Sequence, residues 1–149
     1  MILTRHFNLE EFAHSQTAAR MGRTVEIPLE VLPAIRALCV NVLEPLRSDV
    51  RRSVWIMSGY RPAWLNKAVG GSKKSQHMKG EAADIQVSGM TPRQVMRRII
   101  ALELPFDQLI LEFDQWVHVS HSAEGNRSTV LTARKVGGVT RYHPGILED

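Results

Sequence analysis

With one cysteine, Cys39, the chain can form no internal disulfide and no cysteine-rich zinc cluster. Its neighbours Leu38, Val40 and Val42 predict a buried, inert thiol. No run of about 18 or more apolar residues occurs, so no membrane span is expected. The start, Met1-Ile2-Leu3-Thr4-Arg5-His6-Phe7-Asn8, lacks a charged segment followed by an apolar stretch. No secretory signal peptide is therefore expected, which places the chain in the cytoplasm of the producing cell. Internal repeats, low-complexity tracts and linkers are also missing.

What is present is globular. Hydrophobic residues make up 44% and charged residues 23% of 149 residues, enough for one domain with a real core. A single monomeric domain is expected over residues 1–149, with an N-terminal cap segment over 1–25 and a loose tail over 137–149. The net charge is +4, which favours anionic partners such as nucleic acid, acidic wall polymers or substrates bearing carboxylates. The basic residues are scattered, with short clusters at Arg51-Arg52, Lys73-Lys74 and Arg97-Arg98. A solvated basic surface explains them as well, and nucleic-acid binding is the weaker reading.

Patterning predicts α+β organisation. Asn8 with Glu11 suggests a capped helix over 9–13, followed by loop over 16–23. Leu32, Ile35, Leu38, Val42 and Leu46 recur at helical spacing, giving one long helix over 29–50 that Pro45 kinks or shortens. A short helix is expected over 64–69. Thr91-Pro92-Arg93-Gln94 is a strong start for another, over 92–102. Strands are read at 54–57, 82–87, 108–112, 116–120 and 128–133.

The chemistry-bearing residues lie in two places. Ser75-Gln76-His77-Met78-Lys79-Gly80-Glu81-Ala82-Ala83-Asp84 offers His77 and Asp84 across a glycine-containing turn. A carboxylate inside an apolar strand costs several kcal/mol unless a metal, a cation or hydrogen bonds compensate it. Pairing with Arg61 or a lysine would also serve. Strand alternation in Trp116-Val117-His118-Val119-Ser120 sets His118 on the face opposite the valines. Hydrolytic zinc takes three His, Asp or Glu ligands and lowers the pKa of a water to about 7. His77, Asp84 and His118 are the candidates. His121 is weaker, and His6, His14 and His143 read as surface histidines. A peptidase also needs a carboxylate to move the proton, and Glu112 and Asp114 are nearby. A three-residue turn at Phe113-Asp114-Gln115 would put Glu112 on the His118 face; a two-residue turn would not.

Taken together, the chain resembles the zinc D-Ala-D-Ala carboxypeptidase family (LAS-type metallopeptidases). That family includes vancomycin-resistance D,D-dipeptidases and phage endolysin peptidases and shares its fold with the hedgehog signalling domain. The matching pieces are Ser58-Gly59-Tyr60-Arg61-Pro62, Leu65-Asn66, Val69-Gly70-Gly71-Ser72, Ser75-Gln76-His77, Gly80, Ala82-Ala83-Asp84-Ile85 and Trp116-Val117-His118-Val119-Ser120. The likeness is continuous over about residues 3–121 and is strongest to short, often prophage-borne members. It implies a central antiparallel sheet with flanking helices. One Zn2+ on His77, Asp84 and His118 is implied too, with Arg61 polarising the scissile carbonyl and Ser75 contacting substrate. The implied substrates are peptidoglycan stem or cross-link peptides, cut by a phage lysis or virion-associated enzyme.

One departure stands out. Relatives often carry the catalytic acid three residues before the final histidine, where this chain has Gln115, which cannot shuttle a proton. Glu112 is favoured for the role over Asp114. The alternative is a catalytically silent zinc-binding domain that recognises wall peptides or supports a tail structure.

Overall fold

The computed structural model describes residues 1–148. Strands β1 (Ile2–Thr4) and β2 (Phe7–Asn8) form a small antiparallel pair. The Asn8 N–H then donates to Glu11 Oε2 (2.8 Å) at the start of a 3-10 turn over Leu9–Ala13, the expected capping pattern on a tighter helix. Residues expected as loop instead contain helix α1 (Gln16–Arg20), capped by Ser15, whose Oγ accepts from Ala18 N–H (3.1 Å).

The long helix forms in pieces. A 3-10 turn (Leu29–Val31) leads into α2 (Leu32–Leu38), a π-helical stretch (Cys39–Leu43) and α3 (Glu44–Val50). The wider π register sits just before Pro45, which has no N–H to donate and would crowd the preceding turn of a regular helix. The axis therefore adjusts without ending, and Ile35, Leu38, Val42 and Leu46 stay fully buried along it.

Next come β3 (Val54–Ser58), α4 (Ala63–Ala68), a 3-10 turn (Gln76–Lys79), β4 (Ala82–Val87) and α5 (Pro92–Ala101). Strands β5 (Gln108–Glu112), β6 (Trp116–Ser120), β7 (Thr129–Val136) and β8 (Val139–Pro144) complete the chain. The six main strands lie in the order β3-β4-β6-β5-β7-β8. The α+β fold and the antiparallel pairing expected of the sheet hold across β3-β4-β6-β5, and the sheet is mixed overall because β7 runs parallel to β5. The expected loose tail is also different. Residues 139–144 form β8, paired antiparallel with β7 across Gly137-Gly138, both at positive φ. Asp149, the end of that expected tail, lies outside the described residues.

Register makes the two sheet faces unlike. Ile85, Val117, Val119, Leu109 and Leu111 turn toward α2, α3 and α5 and are fully buried with Ile35, Leu38 and Ile99. Asp84, His118, Ile110 and Glu112 take the opposite face. A one-residue slip would bury the carboxylates and expose the aliphatics. At about 1.5–3 kcal/mol per aliphatic side chain, the core holds the site residues on their face. No described helix is long and apolar enough to cross a membrane.

Candidate metal centre

His77 is mounted on the Gln76–Lys79 turn, which is pinned from two sides. Ser75 Oγ accepts from the His77 backbone N–H (3.2 Å), and Arg61 N–H donates to the His77 carbonyl (3.0 Å). Gly80 closes the turn at φ +72°, where an added Cβ would lie 2.9 Å from both Ile35 Cγ1 and the Val31 carbonyl oxygen. The ring is almost completely buried (1% exposed). Its Nδ1 is 2.7 Å from the Gly59 carbonyl oxygen, which can only accept, so Nδ1 carries the hydrogen and Nε2 is left as a bare lone pair. Gly59 itself leaves no room for a side chain, since a Cβ there would sit 2.6 Å from Phe12 Cα.

Asp84 and His118 are direct cross-strand partners on β4 and β6. Asp84 Oδ1 lies 3.1 Å from His118 Nδ1 and 3.3 Å from His77 Nε2, and the two rings meet edge to face at 5.0 Å. One donor atom from each residue falls within 4.8 Å of the others. Tetrahedral ligands at about 2.0–2.2 Å from an ion are separated by about 3.3–3.6 Å, close to these spacings. His77 Nε2 is buried with no hydrogen-bond partner, the kind of orphaned lone pair that a cation satisfies. The donor set therefore fits a divalent metal, and its mixture of imidazole and carboxylate suits zinc.

At His77 and Asp84 the charge states agree with that fit. Burial lowers the His77 pKa more than Asp84 raises it, keeping the ring neutral as a ligand must be. For Asp84, burial works upward but is outweighed by the two imidazoles packed against it, with His118 at 3.1 Å, so its carboxyl lies below the usual range. At His118 burial works downward, and the bond to Asp84 with its charge raises the pKa.

Glu112 stands beside this cluster. The Phe113-Asp114-Gln115 turn has three residues, with Phe113 and Asp114 at positive φ, so Glu112 pairs with Trp116 and Ile110 with His118. Glu112 Oε1 is 3.9 Å from His118 Nδ1. Burial first, then the Asp84 charge, push its carboxyl up to about 7 against the pull of His118, Arg61 and the Trp116 indole. Asp114 is elsewhere: it is half-exposed and paired with Arg93 on α5 at 2.9 Å. Gln115 is held by its backbone carbonyl, which accepts from Gln86 Nε2 (2.9 Å).

Arg61 enters from the β3–α4 loop, half-buried. Burial lowers its pKa while Asp84 and Glu112 pull it back up. It makes no ion pair with a described residue, so the alternative of an Arg61–Asp84 pair is not what the structure shows. Asp84 faces the two imidazoles instead. Arg61, Ser75, Glu112 and the three metal-cluster residues all line one open cleft of about 1410 Å³.

Several cleft residues were not legible beforehand. His14, exposed as expected, and Thr17 of α1 line the cleft, as do Lys135 and Tyr142 of the β7–β8 ribbon. Below the His77 turn, Asp107 is buried and accepts from Gln76 Nε2 (3.0 Å), Arg127 N–H (2.8 Å) and Arg127 Nε (2.9 Å). His6 instead bonds Glu44 (2.9 Å), and His121 remains outside the metal cluster.

Comparison with known proteins matches this architecture to one family. No curated protein matches the chain significantly. The family described as Peptidase M15 matches residues 5–120, a span that contains all three cluster residues, Glu112, Arg61 and Ser75 and stops at the end of β6. A His–Asp–His metal site inside that span supports metallopeptidase function, and the chain belongs to the Peptidase M15 family.

Proposed function

We propose that the chain is a zinc-dependent peptidase that hydrolyses peptidoglycan stem or cross-link peptides, with His77, Asp84 and His118 as the metal ligands. The observation that carries this reading is the approach of Asp84 Oδ1 to His118 Nδ1 (3.1 Å) and to His77 Nε2 (3.3 Å), with a ligand atom of each residue within 4.8 Å of the others, beside a carboxyl whose pKa is raised to about 7. A zinc ion bound there supplies Lewis-acid polarisation and a water of lowered pKa.

The chain's own groups do the rest. Glu112 takes a proton from the attacking water and delivers it to the leaving amine as the C–N bond breaks, a task suited to a pKa near 7. Arg61, always charged and tied into no ion pair with a described residue, donates to the oxygen that gains negative charge. Ser75, whose Oγ accepts from His77 N–H, keeps its hydroxyl proton to offer substrate. The peptidoglycan assignment and a phage or prophage lysis role rest on the sequence likeness; a net charge of +4 accords with carboxylate-bearing wall peptides.

A second reading, a silent zinc-binding wall-recognition domain, draws on Gln115 at the position where relatives often keep an acid. Digestion of purified peptidoglycan, followed by mass spectrometry of the fragments, separates the two. The peptidase reading expects new amine-terminated fragments with the native chain and none with Glu112→Ala or His77→Ala. Zinc uptake without fragments at high protein concentration would favour the silent domain.

A further inference from the structure

Glu112 closes β5, so the turn that follows it decides where its carboxyl stands. That turn has an uncommon shape. Phe113 and Asp114 both carry positive φ (56° and 55°), a region in which Cβ crowds the backbone and which aspartate tolerates far better than phenylalanine. Phe113 N–H donates to the Ala133 carbonyl (3.1 Å), Gln115 N–H donates to the Glu112 carbonyl (3.0 Å), and the Phe113 ring meets Trp116 edge to face at 5.7 Å. The buried aliphatic residues of β5 and β6 choose the face that Glu112 takes. How near its carboxyl comes to the metal cluster is left to the turn.

Asp114 anchors this turn to α5. Arg93, in the first turn of that helix, donates from Nε to Oδ1 (2.9 Å) and from Nη2 to Oδ2 (3.4 Å), a two-pronged contact. The guanidinium is itself held, since its Nη1 donates to the Leu147 carbonyl (2.6 Å). Leu147 is fastened in turn: its N–H donates to Thr132 Oγ1 (3.0 Å), and Thr132 is buried and pairs with Leu111, next to Glu112. The Arg93 side chain is 15% exposed, against 43% for Arg98 in the Arg98–Asp49 pair on the same helix. A guanidinium so withdrawn from solvent holds its partner more firmly than one at the open surface.

We propose that Arg93 and Asp114 are a positioning pair for Glu112, holding the Phe113–Gln115 turn in its left-handed form so that the Glu112 carboxyl stays within reach of the attacking water. This inference rests on the peptidase reading above and adds to it what sets the proton carrier in place. A proton acceptor must stand within about 2.6–3.2 Å of the group it serves, and a displacement of about 1 Å can cost about a hundredfold in rate. Glu112 Oε1 is 3.9 Å from His118 Nδ1, at the edge of the cluster, where a small movement of the turn takes it out of range. The acidic residue that stands apart from the metal cluster thus serves the one beside it.

The test uses the full zinc-loaded chain and soluble peptidoglycan fragments with intact stem and cross-link peptides. Asp114→Gly keeps a residue at ease with positive φ and removes the carboxylate, and Arg93→Met removes the guanidinium. Each is expected to lower kcat about ten- to a hundredfold, with KM and zinc content within about twofold of native. The double variant falls no further than either single one, because the same contact is lost in all three, and Arg93→Lys recovers part of the loss. Arg98→Met, which breaks the other pair on α5, leaves kcat as it was. In the metal-free protein, the hydrogen-bonded Phe113 and Gln115 amides of Asp114→Gly should exchange at least about tenfold faster than native. A kcat within about twofold of native in Asp114→Gly, losses that multiply in the double variant, or unaltered amide exchange overturns the pair's role and leaves the peptidase reading intact. A native chain that cuts no fragment overturns both.

Discussion

The two halves of the sheet are built to different rules. On β4, β6 and β5 and the turn that precedes β4, the polar site residues are buried or half-buried and closely held: His77 by Gly59, Ser75 and Arg61, and Asp84 between both imidazoles. In β7 and β8 the large cleft-lining side chains Lys135 and Tyr142 are exposed, Tyr142 at 56%, and tethered mainly by backbone pairing. Chemistry on a metal needs donor atoms fixed to a fraction of an ångström in a poorly solvated place, which takes a packed core behind them. Choosing between substrates needs only a modest energy difference, which an exposed ribbon can supply. Substitutions in the first half should therefore change kcat, and those in the second should change selectivity.

The strongest way to break this contrast is at Glu112. Glu112→Gln is expected to cut turnover by about 10²–10⁴-fold, with zinc content and melting temperature retained. Turnover within a few-fold of native would show that the proton passes elsewhere. Next in size is Arg61→Ala, expected to lower kcat by about 10²–10³-fold with a small change in KM. A loss confined to KM would move Arg61 from transition-state stabilisation to ground-state binding.

Two smaller effects sharpen the picture. Asp107 props the His77 turn through Gln76, and Arg127 first of all holds its pKa down to about 2. A depressed carboxyl adds stability above its unfolded pKa and loses it as pH falls through the folded value. Because Arg127 is largely exposed, Asp107→Asn is expected to cost about 1–2 kcal/mol at neutral pH. Denaturant melts should show that gap closing between pH 3.8 and about 2. A gap that persists below pH 2 would mean that packing, not charge, is lost. Last, in metal-free protein the Glu112 carboxyl should titrate near 7 by NMR and move lower when a divalent cation is added nearby. An unmoved titration would place the cation away from Glu112.

The same contrast explains what the sequence reveals. Strands β4, β5 and β6 were readable because period-two alternation is a local property, whereas the face of Glu112 hung on a turn of two or three residues that the structure shows to be three. Helix α1 was not readable, since its five residues are too few to show periodicity, although Ser15 caps it. The Gly137-Gly138 pair between Val136 and Val139 is a hairpin signal that would have identified β8, had the Gly-rich composition not suggested a loose end. The parallel β5–β7 pairing and the Asp107 contacts have no local signature. Gln76 and Arg127 lie 31 and 20 residues from Asp107, so only the folded chain brings them together.

Zinc titration of the metal-free chain, followed by calorimetry and by elemental analysis of the washed protein, tests the central claim most directly. The account predicts one equivalent bound and a raised melting temperature in the native chain, and loss of both in His77→Ala, Asp84→Ala and His118→Ala. Zinc bound undiminished by any of these three substitutions, or no zinc bound by the native chain, would contradict it.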